Sequence, residues 1–127
     1  MFVIRVLPPL AVVVSCVNLA LAQESFLRGD LLRKTITGKT LTGENWSEYY
    51  APDGTIHGKV RIFGVHNYVG KWRVLEDRVC YDYEEKSKNT CSQLRIVENQ
   101  VFHHDLQGRL KNDGIARRAN GNMLSIF

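Results

Sequence analysis

Apolar and polar residues alternate along most of the chain after residue 35, which is the pattern of strands that bury one face. In residues 55–63, Ile56, Val60 and Ile62 share one face, and the opposite face is polar or basic. The predicted strands are 46–50, 55–63, 68–75, 78–83, a strand after residue 90, 100–105, and one or two strands within 110–124. Turn residues recur about every 8 to 12 residues. This pattern predicts a mainly β domain, a small antiparallel barrel or sandwich in meander order.

Polar segments between the predicted strands mark turns and loops. Residues 51–54 combine a proline that presets φ with a glycine that accepts a positive φ, and they predict a tight turn. Residues 64–67 predict a second turn. Residues 84–90 are polar or charged throughout, and we expect them to form a loop tip.

A short helix is predicted before the strands. Ser25 is a candidate N-cap, and Arg33 and Lys34 fall in the last turn, where cations suit the helix dipole. The predicted apolar side of the helix consists of Phe26, Leu27, Leu31 and Leu32. Gly29 weakens the helix, so we expect two or three turns at most.

The first 22 residues have the pattern of a secretory signal peptide. Arg5 supplies a positive start, residues 6–21 carry no charge, and residues 20–22 have the small-x-small form of a cleavage site. We therefore expect cleavage after Ala22, a mature domain over 23–127, and a location in the periplasm or outside the cell. Pro8 and Pro9 argue against a retained membrane anchor. The alternative is a lipoprotein anchored through Cys16.

Cys80 and Cys91 are the two cysteines of the predicted mature domain. An even number of thiols in an oxidising compartment predicts a disulfide. Strand parity places both thiols on the polar face, as neighbours that bridge a hairpin. A metal site is the rival interpretation, but no His or Cys lies at a close ligand spacing beside either thiol.

The formal net charge of +4 is mild, and the charges are mixed along the chain rather than clustered. An exported protein seldom meets nucleic acid, so we expect none as a partner. The anions within its reach are lipid head groups and acidic glycans. Lys59, Arg61, Lys71 and Arg73 are predicted on the outer face of two neighbouring strands, as a candidate anion-binding face. The alternative is the ordinary solvated outside of a barrel.

Several short motifs occur together in a fixed order between about residues 35 and 95. They are 38–43 (GKTLTG), 49–55 (YYAPDGT) with Gly58, 70–74 (GKWRV), and Cys80 with Cys91. In this combination the chain resembles a family of small exported alphaproteobacterial proteins of unknown function, which have a signal peptide and a compact β fold. The resemblance implies the fold and the location, and it brings no activity, cofactor or site residue.

Residues 103–105, His-His-Asp, are the first candidate for chemistry. Alternation sends His103 and Asp105 to one face and His104 to the other, so the two histidines cannot bind one metal from this strand. His103 beside Asp105 has the form of an oriented base, so a hydrolase is a further alternative. It is the least favoured of the interpretations. His104 lies with Phe102 on the apolar face and is expected to be a core histidine. No catalytic, phosphate-binding or metal motif occurs, so we predict no catalytic residue and no cofactor.

Aromatic residues are the remaining candidates for a site. They are Trp46, Tyr49, Tyr50, Trp72, Tyr81 and Tyr83. Such residues either line a ligand cavity or fill the core of a small barrel, and we expect Trp72 in the core. The expected function is non-enzymatic binding of a small amphipathic ligand or of a cell-envelope protein, glycan or lipid. The alternative is a protein-interaction or inhibitor-type module that presents residues 84–90.

Overall fold

A computed structural model describes residue 3, residues 25–83 and residues 86–124, with the backbone alone at 86–89. The predicted cleavage site and Cys16 lie outside the described residues. The helix α1 spans Gly29–Ile36. The strands are β1 Lys39–Thr42, β2 Trp46–Tyr50, β3 Thr55–Arg61, β4 Val65–Leu75, β5 Arg78–Tyr83, β6 Lys86–Val97, β7 Gln100–His104 and β8 Leu110–Asn120.

The eight strands form a closed antiparallel barrel in chain order. Each strand pairs with the next one, and β8 returns to pair with β1, so that Thr40 lies opposite Ala119. The seam continues beyond the strands, because the Gly121 N–H donates to the Gly38 carbonyl at 2.8 Å. Closure removes every free sheet edge. The prediction of a small β meander is confirmed, and the barrel is the correct one of the two architectures.

The helix covers one end of the barrel. The Gly29 N–H donates to the Glu76 carbonyl, in the turn between β4 and β5, at 2.7 Å. Leu32 and Ile36 are fully buried and join the apolar core of the barrel. The inward core residues of the strands are Leu41, Tyr50, Ile56, Val79, Tyr81, Leu94, Val101 and Ala116. We call the opposite end, where β2 begins and β5 ends, the cavity end.

The predicted start of the helix is wrong. The helix begins at Gly29 with Arg28 as its N-cap, and no side chain caps it. Residues 25–28 are not helical, because the Leu27 N–H bonds to the Leu94 carbonyl in β6 at 2.7 Å. Leu31, predicted on the apolar side, is 61% exposed. Arg33 and Lys34 lie in the last turn as predicted.

Two predicted loops are shorter in the structure. β6 begins at Lys86 and pairs with β5, so most of the predicted loop 84–90 is strand, while residues 84–85 lie outside the described residues. β4 already begins at Val65, so the turn lies at 62–64 rather than 64–67. Ile62, predicted to face inward, is therefore beyond the end of β3 and 58% exposed. Polar side chains do not prevent pairing, since the ladder is made by the backbone.

The disulfide Cys80–Cys91 is present. The two residues are direct partners across β5 and β6. They lie on the outer side of the wall, as the parity predicted, because Val79 and Tyr81 point into the core. Cys80 is nevertheless only 1% exposed, whereas Cys91 is partly exposed.

Candidate functional site

A cavity of about 210 Å³, open to solvent, lies at the cavity end of the barrel. Its lining comes from five strands, because inward positions of β2, β5, β6, β7 and β8 converge there. The lining residues are Trp46, Glu48, Tyr50, Tyr81, Tyr83, Thr90, Ser92, His103, Lys111, Asn112, Asp113 and Gly114. Its volume is below the about 300 Å³ at which drug-sized pockets begin, so it suits a smaller ligand.

Glu48 is the buried acidic residue of the cavity. It lies on β2 between Trp46 and Tyr50, and alternation turns all three side chains inward. The Tyr83 hydroxyl donates to Glu48 Oε2 at 2.9 Å, and the side chain is 8% exposed. Burial raises the pKa of Glu48 to about 7, although hydrogen bonding from Tyr83 and Tyr68 favours the charged form. Both the acid and the carboxylate are therefore populated near neutral pH.

Four tyrosines surround Glu48. Burial, followed by the negative charge of Glu48, raises the pKa of Tyr68, Tyr81 and Tyr83 far above the usual range, so these phenols stay neutral. The rings of Tyr81 and Tyr83 stack with centroids 6.2 Å apart, and Tyr68 meets Tyr83 edge-on at 5.6 Å. The ring centroids of Tyr50 and Tyr81 are 6.3 Å apart. The carboxyl group is thus enclosed by aromatic rings.

His103 is the second polar group that faces the cavity. Its Nδ1 lies 3.0 Å from the Gly114 carbonyl, and its ring meets Trp46 edge-on at 5.4 Å. Burial lowers the pKa of His103 to about 4, and the nearby Lys111 charge acts in the same direction. The ring is therefore neutral at pH 7. Because a carbonyl only accepts, Nδ1 carries the proton and Nε2 presents a lone pair.

Two buried side-chain atoms of the described residues have no hydrogen-bond partner, and both belong to this cavity. They are His103 Nε2 and the Tyr81 hydroxyl. The side chains of Ser92 and Tyr50 are close enough to that hydroxyl to lower its pKa as hydrogen-bond partners, so His103 Nε2 is the more clearly unpartnered of the two atoms. A buried polar atom without a partner is unfavourable by about 1–3 kcal/mol. A bound ligand or water at this cavity would satisfy both atoms, so they mark the polar contacts that a ligand can use.

Contacts with β8 organise the cavity rim. The Asp113 carboxylate accepts from the backbone N–H groups of Glu44 and Asn45 at 2.8 and 3.0 Å, and the Asp113 carbonyl accepts from Trp46 Nε1 at 2.8 Å. Lys111 Nζ donates to the Cys91 carbonyl at 3.0 Å and to Ser92 Oγ at 2.7 Å. These bonds tie β8 to the β1–β2 turn and to β6.

The structure does not bring His103 and Asp105 together. His103 points into the barrel, whereas Asp105 lies in the surface turn after β7, where it accepts from the Arg109 N–H and Arg109 Nε at 2.9 and 3.0 Å. The predicted separation of His103 from His104 is correct, but the faces are reversed. His104 faces outward, with Nε2 accepting from Arg95 Nε at 2.9 Å and its ring 5.1 Å from Phe26.

The four basic residues of the candidate anion-binding face all lie on the outer side of β3 and β4, but they form two pairs. Lys59 lies opposite Asn67, and Lys71 lies opposite Thr55 on one side and Asp82 on the other. Asn67 and Lys71 are separated by about 13 Å along β4. Lys59 and Arg61 are therefore near the cavity end, and Lys71 and Arg73 are nearer the helix.

Among the predicted aromatic residues, Trp46, Tyr50, Tyr81 and Tyr83 line the cavity, while Tyr49 faces outward and stacks with His57. Trp72 points inward and packs against the core, with its ring edge-on to Tyr50 at 5.9 Å.

Glu48, Tyr68 and Lys111 were not predicted from the sequence as site residues. Glu48 carried a usable signal, because alternation in 46–50 places it between two inward aromatic residues.

Metal sites and surface grooves are the other kinds of site that a barrel can carry. In the described part of the chain, no group of three or more His, Cys, Asp or Glu residues is placed to hold a metal ion. A larger groove of about 420 Å³ lies mostly on the outer side of β1, β7 and β8, with Arg61, Gln100 and Arg117 in its lining. It contains neither of the two buried unpartnered atoms, so the interior cavity is the better candidate.

No family model, curated protein or solved structure matches this chain. The resemblance to small exported alphaproteobacterial proteins stays a prediction. Within residues 25–83 and 86–124, no helix has the length and apolar character needed to cross a membrane. The cavity is therefore the feature from which a function can be inferred.

Proposed function

We propose that this protein is a non-enzymatic binding protein that holds one small ligand in the interior cavity. The observation that carries the proposal is the pair of buried, unpartnered atoms at that cavity, His103 Nε2 and the Tyr81 hydroxyl. A ligand that pairs with both atoms would remove the penalty of leaving them unsatisfied. An eight-stranded barrel is also wide enough to hold one small ligand.

The chemistry of the lining supports binding rather than catalysis. Both cysteines of the barrel are bonded to each other, so neither is a nucleophile. Ser92 Oγ accepts from Lys111 Nζ, and that amine also donates to the Cys91 carbonyl, so it acts as a donor to the hydroxyl rather than as its base. Asp105 is remote from His103, which weakens the hydrolase alternative.

We also propose that the protein works in the periplasm or outside the cell, after cleavage following Ala22. The disulfide supports this location, because disulfides persist in oxidising compartments. The intact mass of protein recovered from the periplasm tests it. We expect a chain that starts at Gln23 and lacks two hydrogens. An acyl group on Cys16 would establish the lipoprotein alternative instead.

Native mass spectrometry of the purified protein tests the binding function. We expect a native mass that exceeds the denatured mass by one discrete small molecule. Tyr81→Phe should reduce the bound fraction, whereas Tyr49→Phe, an outward tyrosine on β2, should leave it unchanged. Equal native and denatured masses would contradict small-ligand binding and favour the protein-interaction module.

A further inference from the structure

The cavity contains a buried carboxyl group without a basic partner. Among the described residues, no Lys or Arg forms an ion pair with Glu48, and its hydrogen-bond donors are the neutral Tyr83 and Tyr68. Buried carboxylates are normally paired with a cation or strongly hydrogen-bonded. Here the surroundings are tyrosine rings, so no cation offsets the charge of the Glu48 carboxylate.

The other polar groups of the cavity can accept hydrogen bonds, so a matching ligand has to supply hydrogen-bond donors. His103 Nε2 can only accept a hydrogen bond while the ring is neutral. The Glu48 carboxylate is likewise an acceptor, and the Tyr81 hydroxyl can accept or donate. The matching ligand therefore carries several N–H or O–H groups and, opposite Glu48, a positive charge.

The aromatic lining suits a cation. The faces of tyrosine and tryptophan rings attract positive charge, and the attraction grows when water is excluded. Tyr50, Tyr81 and Tyr83 present a continuous group of rings around Glu48. A carboxylate inside such a group of rings is a favourable site for an ammonium group and an unfavourable one for an anion.

Lys111 is the cation already present at this cavity. Its Nζ is held by the Cys91 carbonyl and Ser92 Oγ on β6, rather than by Glu48 on β2. It therefore leaves the charge of Glu48 uncompensated. Lys111 also limits the ligand, because a second positive charge on its side of the cavity would be repelled.

We propose that the ligand is a small organic ammonium ion, with its charged N–H groups directed at Glu48, away from Lys111, and its carbon skeleton against the tyrosine rings. This inference rests on the proposed binding function. The cavity volume of about 210 Å³ favours a compact monoamine over a long polyamine.

Matched probes test the charge preference by titration calorimetry. Benzylammonium, benzyl alcohol and benzoate are similar in size and differ in charge, and shorter alkylammonium ions with their alcohols extend the series. We expect the ammonium ions to bind about tenfold or more tightly than the alcohols, and the carboxylate not to bind. Glu48→Gln should remove this preference. Glu44→Gln, which removes an exposed carboxylate near the same rim, should retain it.

The failure of this inference can be distinguished from the failure of the proposed function. If alcohols or carboxylates bind as tightly as ammonium ions, or if a copurified ligand has no basic nitrogen, the ligand class is wrong while the binding function stands. If no probe binds and no small molecule copurifies, both proposals are wrong. An ammonium preference that survives Glu48→Gln would also overturn the assigned role of Glu48.

Discussion

Glu48 and His103 lie in one barrel interior, where burial moves their pKa values in opposite directions. Burial disfavours the charged form of each, so the Glu48 pKa rises from 4.5 to about 7 and the His103 pKa falls from 6.5 to about 4. Glu48 therefore contributes stability that is complete below pH 4.5 and is lost as the pH rises to about 7. His103 contributes stability that is complete above pH 6.5 and is lost as the pH falls to about 4.

Glu48→Gln should gain stability relative to the wild type as the pH rises. The glutamine has no charge to bury, so we expect its free energy of unfolding to gain roughly 3 kcal/mol on the wild type between pH 4.5 and 7. Urea unfolding at a series of pH values measures this difference. Titrations shared by both proteins cancel in it. A constant difference across the series would mean that Glu48 has an ordinary pKa.

His103→Gln should show the opposite trend. The wild type loses stability as the pH falls and the buried ring is forced to accept a proton, whereas the variant does not. We expect the variant to gain roughly 3 kcal/mol relative to the wild type as the pH falls from 6.5 to 4. The same unfolding series measures it, with His57→Gln on the outer face as the control. Parallel profiles for His103→Gln and the wild type would contradict a buried neutral histidine.

Trp72→Ala should destabilise the barrel by about 3 kcal/mol, the lower end of the usual range for tryptophan, because the side chain is only partly buried. The variant loses the edge-on contact with Tyr50 and the hydrogen bond from Trp72 Nε1 to the Ala51 carbonyl at 3.0 Å. Chemical denaturation measures the change. Lys71→Ala, the outward neighbour, should change stability little. An unchanged midpoint for Trp72→Ala would show that the ring is not part of the core.

At the scale of elements, strands were predictable where one face is apolar, and boundaries set by tertiary contacts were not. Residues 46–50 and 78–83 were predicted with correct bounds, since alternation and turn residues define them locally. The start of α1 depends on the bond between Leu27 and Leu94, which no local pattern reveals. The inward direction of His103 was missed because the outward Phe102 is covered by Arg95, 4.0 Å from the ring.

Removal of the disulfide should weaken the β5–β6 hairpin without changing the cavity. Cys80 and Cys91 are 11 residues apart, so Cys80→Ser with Cys91→Ser should lower the free energy of unfolding by roughly 3 kcal/mol. Guanidinium unfolding with and without reductant measures the effect. Bound ligand should remain in native mass spectra, since the bond lies on the outer side of the wall. Loss of the ligand from a folded variant would contradict the position of the disulfide on the outer side of the wall.

At the scale of the whole molecule, the barrel interior changes from apolar at the helix end to polar at the cavity end. From the sequence, the aromatic residues could line a cavity or fill the core, and Trp46, Tyr50, Tyr81 and Tyr83 line the cavity. The sequence did not predict that Glu48, His103 and Lys111 meet there, because they come from β2, β7 and β8 and are brought together only by closure of the barrel.

Leu32→Ala should affect stability at the helix end without affecting ligand binding at the cavity end. Leu32 is fully buried at the helix end, so its truncation should destabilise the protein by about 2–5 kcal/mol. Ligand occupancy at the other end should remain close to that of the wild type while the protein is folded. Thermal unfolding and native mass spectrometry together measure the two effects. A folded variant that had lost its ligand would indicate that the helix end contributes to the binding site.

The seam between β1 and β8 has a consequence for how the barrel assembles. Every other pairing joins strands that follow one another, so it can form locally as a hairpin. The seam joins residues about 80 positions apart, such as Lys39 and Asn120, and it must close the longest loop in the fold. We expect it to form late during folding and to be the first place at which the native barrel opens. Amide hydrogens of β1 should therefore exchange with solvent faster than those of β5 and β6.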